Sequence, residues 1–150
     1  MVSTIITFRD PNSDILNKPS AKIGVFDAEL KKVARDMEEI LLNLADAGLG
    51  LAAPQIGISR AIFAIRFGRE VKFYCNPVIK DLSSEQEIME EGCLSFPEIF
   101  FKIKRAKKVI LVYQDLLGRN KTEKAEGILA RAFQHETDHL NGITFDQKAR

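Results

Sequence analysis

The sequence predicts an α+β fold, with mixed or antiparallel β-sheets packed around a C-terminal metal-binding helix and an amphipathic helix towards the N-terminus. Three observations predict it. An apolar stripe repeats at helical spacing from Leu30 to Leu44, short β-rich runs follow too closely for helical crossovers, and a second helical segment lies near the end of the chain. The 150 residues show no repeat, low-complexity tract or linker, so one domain covering 1–150 is expected.

Residues 10–24 carry Pro11, Asn12, Ser13, Asn17, Pro19, Ser20 and Gly24 and read as irregular structure. Asp27 is suited to cap a helix that runs to about residue 47. Leu30, Val33, Ala34, Met37, Ile40, Leu41 and Leu44 form its apolar stripe, and Gly48 is its expected stop. Four runs rich in Ile, Val, Phe or Tyr then read as strands, over 61–67, 72–79, 99–103 and 108–113. Gly68, Asn76-Pro77 and Gly118-Arg119-Asn120 supply turn signals between several of them. A second helix is expected over 126–140, ended by Asn141-Gly142.

Composition excludes several classes. Apolar residues at 45% and charged residues at 29% are those of a globular protein rather than a disordered one. A formal net charge of +1 gives no electrostatic grip on nucleic acid or an anionic membrane. The N-terminal residues lack a secretory pattern, and the apolar runs are too short to span a bilayer. Two cysteines, Cys75 and Cys93, are too few for a disulfide framework, so a reducing cytoplasm is the expected location.

The only two histidines lie in one pentapeptide, His135-Glu136-Thr137-Asp138-His139. Residues four apart share a helix face, so both imidazoles can bind one metal ion, and Glu136 is placed to act as general base towards a water on it. Two solvated histidines on a Glu-rich helix would give the same string. Phe133 and Leu140, with Ala130 and Ala132, instead suggest a helix packed against the core, where buried imidazoles need a partner. Any further protein ligand must be a cysteine or a carboxylate. Cys75 sits in the apolar run Phe73-Tyr74-Cys75 and reads as a small buried hydrophobe. Cys93, in Glu91-Gly92-Cys93-Leu94-Ser95, reads equally as such a hydrophobe or as a thiolate ligand, and Gly92 allows the backbone to bend beside it. Gly48-Leu49-Gly50-Leu51-Ala52-Ala53-Pro54-Gln55 is either a helix stop and turn, or a close backbone approach that brings the neutral amide of Gln55 to a ligand.

In this order the three segments resemble the signature motifs of peptide deformylases, metalloenzymes that remove the formyl group from nascent N-formylmethionyl chains. The likeness runs from about Ile5 through Gly142. It implies Cys93, His135 and His139 as ligands of one divalent metal, with water in the fourth position. Fe²⁺ is the expected ion, and Zn²⁺, Ni²⁺ or Co²⁺ also suit the donors. It implies attack on the formyl carbon with Glu136 as base and then acid. The Gln55 amide and the Leu94 N–H would steady the oxyanion, each such donor being worth roughly 3 kcal/mol. Leu49, Gly50, Met89, Glu91, Ile128, Arg131 and Ala132 are the candidate substrate-binding residues. N-formylmethionyl peptides are the expected partner of a monomer.

Other residues keep two readings. Glu91 either pairs with Arg105 or orients the nearby loop, or it is a plain surface carboxylate. Asp138 either accepts a hydrogen bond from a ligand histidine or faces solvent. Lys102, Lys104, Arg105, Lys107 and Lys108 read as a solvated edge strand, and the resemblance adds a weak substrate contact for Arg105. Two positions depart from the family pattern as read from the sequence. Thr137 stands where an apolar residue is usual, a change that costs a few tenths of a kcal/mol. Arg131, one turn before His135, stands where an apolar residue would line the methionine pocket, and is expected to extend outwards along its aliphatic stem as a charged rim. Only eleven residues follow His139, a tail that resembles virus-encoded members and that truncation of a longer chain would equally give, so ribosome contact stays open but the short tail speaks against it. Two competing functions remain. A metallopeptidase would need a ligand Glu or His after His139, and none exists. A metal-binding protein without catalysis would not need Glu136 and Gln55.

Overall fold

A computed structural model describes residues 4–44 and 49–149. Among them, two α-helices and seven strands follow the order α1 (Ala28–Asn43), β1 (Gly50–Ala52), β2 (Ile62–Phe67), β3 (Glu70–Leu82), β4 (Gln86–Cys93), β5 (Phe96–Ala106), β6 (Lys108–Gln114), β7 (Asn120–Glu126) and α2 (Gly127–Leu140). Short 3₁₀ turns occupy Ser13–Asn17, Ala53–Ile56 and Phe145–Lys148. The strands form a five-stranded sheet in the order β1-β2-β3-β6-β7 and a separate hairpin of β4 and β5. Every strand pairing is antiparallel. This is the expected α+β fold, with α2 lying between the two sheets.

Helix α1 starts where the sequence places it, because the Asp27 side chain accepts from the Leu30 N–H at 3.0 Å. Its stripe of Leu30, Val33, Met37, Ile40 and Leu41 packs on Leu51, Ile62, Ala64 and Cys75 of the large sheet. The helix ends at Asn43, earlier than expected. One Nη of Arg66 donates to the carbonyls of Leu41 and Leu44, at 2.8 and 2.7 Å, and so satisfies the last turn from a neighbouring strand. The expected stop at Gly48 lies outside the described residues.

Three strands are absent from the sequence reading. β4 and β7 are rich in charge, and β1 is only three residues long. Glu91–Ser95 thus lies mostly in a strand: Cys93 is the last residue of β4, and only Leu94-Ser95 form the hairpin turn. Gly92 makes room for the Phe100 ring, 2.9 Å from where its Cβ would lie, and the ladder shifts register between Gly92 and Cys93. Asn76-Pro77 does not end a strand either. β3 runs through it with a register shift, Asn76 taking φ 47° while its side chain bonds both backbone groups of Ile23.

Helix α2 is enclosed by the two sheets, and residues Ala130 through Thr137 are buried in succession. Phe133 packs against Phe63 and Tyr74, with ring centres 6.1 and 5.1 Å apart. The Gln134 amide pairs with both backbone groups of Ala106 at the end of β5, at 3.0 and 2.9 Å. Asn141-Gly142 ends the helix as expected, Gly142 taking φ 77°. Among the described residues no helix is long and apolar enough to cross a membrane. Phe133→Ala should lower unfolding stability by about 3–5 kcal/mol in urea titration, because the ring is fully buried between the site helix and the large sheet. A loss below about 1 kcal/mol would mean that this packing is not what anchors α2.

Candidate active site

Helix α2 and the β4–β5 hairpin meet at three donor side chains. His135 and His139 project from one face of α2, and Cys93 reaches them from the end of β4. The ligand atoms of the three lie within 4.8 Å of one another, with Cys93 Sγ 3.2 Å from His139 Nε2. Glu91 Oε1 holds His135 Nδ1 at 2.9 Å, which leaves Nε2 of that ring for an ion. One sulfur and two imidazoles suit a borderline divalent metal, and three protein ligands leave a position open for chemistry. These residues therefore fit the metal implied by the sequence.

The charges around this trio are arranged by burial. Glu91, Arg105 and Arg131 are only 7%, 5% and 8% exposed. Arg105 grips Glu91 through Nε and Nη2, at 3.0 and 3.1 Å, and reaches Asp138 at 2.7 Å. Arg131 donates to Glu91 Oε2, which also accepts from Arg105 Nε, at 2.5 Å, and to the carbonyls of Ile103 and Glu87, at 3.0 and 2.6 Å. Two acids thus face two guanidinium groups. Burial pushes the Glu91 carboxyl up, but hydrogen bonds from His135 and Arg105 outweigh it and hold the group at about 2. Burial likewise opposes charge on His135, yet its bonds to Cys93 and Glu91 raise it to about 10. His139 is pushed well below its usual range by burial and by the neighbouring His135.

Several expectations need correction. Arg131 does not run outwards to a charged rim; its guanidinium is buried and engaged by Glu91 and two strand carbonyls. Arg105 belongs to the same network and not to a solvated edge, although Lys102, Lys104 and Lys108 are exposed. It does not line the cavity described below. Asp138 accepts from Arg105, and His135 is oriented by Glu91 instead. Glu91 is no surface carboxylate.

A cavity of about 520 Å³ opens beside the trio. Of the candidate substrate-binding residues, Leu49, Gly50, Glu91, Ile128, Arg131 and Ala132 line it, and Met89 does not. Phe96, Ile99 and Phe100 complete the apolar wall. Sequence reasoning missed them: Ile99 and Phe100 fall in the predicted strand at 99–103, but positions 96, 99 and 100 do not share the two-residue alternation that marks one strand face. Gln55, Leu94 and Glu136 also line the cavity. Gln55 Oε1 accepts from the Ala52 N–H at 2.9 Å, which turns its amino group towards Ser95 Oγ at 3.1 Å and Cys93 Sγ at 3.7 Å. Ser95 was quoted in the motif but given no role. It helps to fix that amide.

Glu136 is buried, and its Oε1 has no partner among the described residues. Burial raises its carboxyl to about 7, where it can both take and give a proton near neutrality. The carboxylate fits only because residue 50 lacks a side chain: a Cβ there would lie 2.7 Å from Glu136 Oε2. Gly50 therefore does more than approach a substrate.

A cysteine and two histidines converging beside a buried glutamate, at the mouth of an apolar cavity, define a metal-dependent hydrolase. The chain belongs to the polypeptide deformylase family, whose model matches residues 2–150. The peptide deformylase of Thermotoga maritima is 44% identical over 139 residues, covering 93% of this chain and 82% of that protein. A crystal structure of the Thermotoga maritima enzyme superposes with a TM-score of 0.92 at 41% identity, covering 100% of this chain and 99% of that one. A class I type b enzyme from Acinetobacter baumannii, bound to Met-Ala-Ser, gives 0.88 at 31% identity over 99% and 98% of the two chains. The chain is thus a peptide deformylase-type hydrolase, acting to remove the N-formyl group from nascent peptides.

Two outcomes follow from the geometry. Gly50→Ala should lower kcat at least tenfold by displacing the Glu136 carboxylate, and unchanged kcat would show that the carboxylate tolerates a methyl there. In metal-free protein, Glu91 contributes stability that is present above its unfolded value and lost as pH falls from about 4.5 towards about 2. Urea midpoints should therefore fall over that window, and Glu91→Gln should flatten the fall. An identical slope in the variant would remove Glu91 from the account.

Proposed function

We propose that Cys93, His135 and His139 hold one divalent metal ion, Fe²⁺ in the working enzyme, and that Glu136 moves the protons in hydrolysis of N-formylmethionyl peptides. Zn²⁺, Ni²⁺ and Co²⁺ suit the same donors. The carrying observation is the buried Glu136 carboxylate, with one oxygen unpartnered among the described residues, beside those three donors and the cavity. When bound, the ion supplies Lewis-acid polarisation and lowers the pKa of a water. Every other part of the reaction falls to side chains of the chain itself.

The substrate's first side chain enters the apolar cavity along Leu49, Phe96, Ile128 and Ala132, which brings the formyl group against the site. Glu136 takes a proton from the attacking water as the new C–O bond forms. The Gln55 amino group, fixed by Ala52 and Ser95, donates to the developing oxyanion from one side, with the Leu94 N–H as the second donor. Glu136 then passes its proton to the departing amine nitrogen as the C–N bond breaks, releasing formate and a free N-terminus. Methionine at the first position agrees with the Met-Ala-Ser peptide bound by the Acinetobacter baumannii relative.

Formate release from formyl-Met-Ala-Ser by the metal-loaded chain tests this reading. Glu136→Ala should reduce kcat by about 10²–10⁴-fold while the metal content is retained. If the variant kept wild-type kcat, the proton would have to move through another group.

A further inference from the structure

We propose that Arg131 is a positioning residue for the metal ligands: it fixes the β4–β5 hairpin to α2 at the separation that lets Cys93 and His135 meet one ion. The inference rests on the metal reading above and adds a residue that never touches the ion. Arg131 lies one helical turn before His135, with its guanidinium directed into the hairpin and not into solvent. It makes three bonds, each to a different place. One goes to the Glu91 carboxylate on β4, one to the Glu87 carbonyl further back on the same strand, and one to the Ile103 carbonyl on β5. The helix that carries both histidines is thereby tied to both strands of the hairpin that carries Cys93.

The connection closes a ring. Arg131 holds Glu91 Oε2, Glu91 Oε1 holds His135 Nδ1, and Cys93 stands two residues beyond Glu91 on the same strand. Glu91 is thus pinned from two directions, by Arg105 along its own hairpin and by Arg131 from the helix. Arg105 also ties the hairpin to α2, but through Asp138 on the His139 side of the metal-facing turn, whereas Arg131 fixes it one turn before His135. The planar guanidinium fork is what reaches a carboxylate and two carbonyls at once, which an ammonium group cannot do from one position.

Cobalt titration of the full chain in metal-free form tests the assignment, read by the thiolate-to-cobalt absorption and the visible ligand-field bands. Arg131→Met should weaken Co²⁺ binding about ten- to a hundredfold and alter the ligand-field bands. Arg131→Lys should recover part of the affinity, because its ammonium can meet Glu91 but not both carbonyls. If Arg131→Met lowers the melting temperature but leaves Co²⁺ affinity and spectrum as in the wild type, Arg131 only supports the fold and the proposal is overturned. Should Arg131→Met fail to fold, Arg131→Lys decides alone: wild-type affinity and spectrum overturn the proposal, and weaker binding supports it. Wild-type protein that shows no thiolate band, or a band that survives Cys93→Ser, overturns the metal reading itself and this inference with it.

Discussion

The buried carboxylate of Glu91 stays charged in a place where an isolated charge would be expelled, and the rest of the site is built around that requirement. Two guanidinium groups and an imidazole converge on its two oxygens. Taking such ions from water is costly, and breaking one member of a buried pair typically costs about 3–5 kcal/mol because the other charge is left uncompensated. The network is consequently a poor source of net stability and a strong source of geometry. It requires β4, β5 and α2 to approach in one arrangement, and that arrangement presents Cys93 to His135 and His139.

The apolar parts of the molecule make this possible. Phe133, Phe63 and Tyr74 seat α2 on the large sheet, while the Gln134 amide ties the helix to the end of β5. With the helix closed in on both sides, its polar residues can only meet one another, the hairpin or the cavity. Glu136 lines the cavity with one oxygen unpaired among the described residues, and Gly50 supplies the space its carboxylate occupies. A single buried helix thus contributes a packing residue, a strand-pairing amide, two imidazoles and a buried carboxylate within seven consecutive positions, 133–139.

Much of this was legible in the sequence, for definable reasons. The i, i+4 histidine pair is a local feature, and the absence of other histidines leaves Cys93 or a carboxylate as the remaining protein donor. Asp27 and the stripe from Leu30 to Leu41 also act locally, and α1 begins where they place it. Burial of charge was not legible. Arg131 and Arg105 read as surface groups because lone arginines are rarely buried, and only the meeting of helix and hairpin supplies the carboxylate that permits it. β4 and β7 were missed for a related cause: their inward positions include Glu91 and Glu123, so the alternation of burial does not appear as alternation of hydrophobicity. Asn76-Pro77 has the composition of a turn, yet the side chain of Asn76 pays for the break in β3 by bonding Ile23.

X-ray absorption at the metal edge of the loaded protein measures the arrangement on which all of this depends. The account predicts one sulfur at about 2.3 Å and two imidazole nitrogens at about 2.0–2.1 Å, with the remaining coordination from light atoms of solvent. A spectrum without sulfur, or with a single imidazole, would contradict it, since the Glu91 network would then be holding three side chains together for something other than a metal ion.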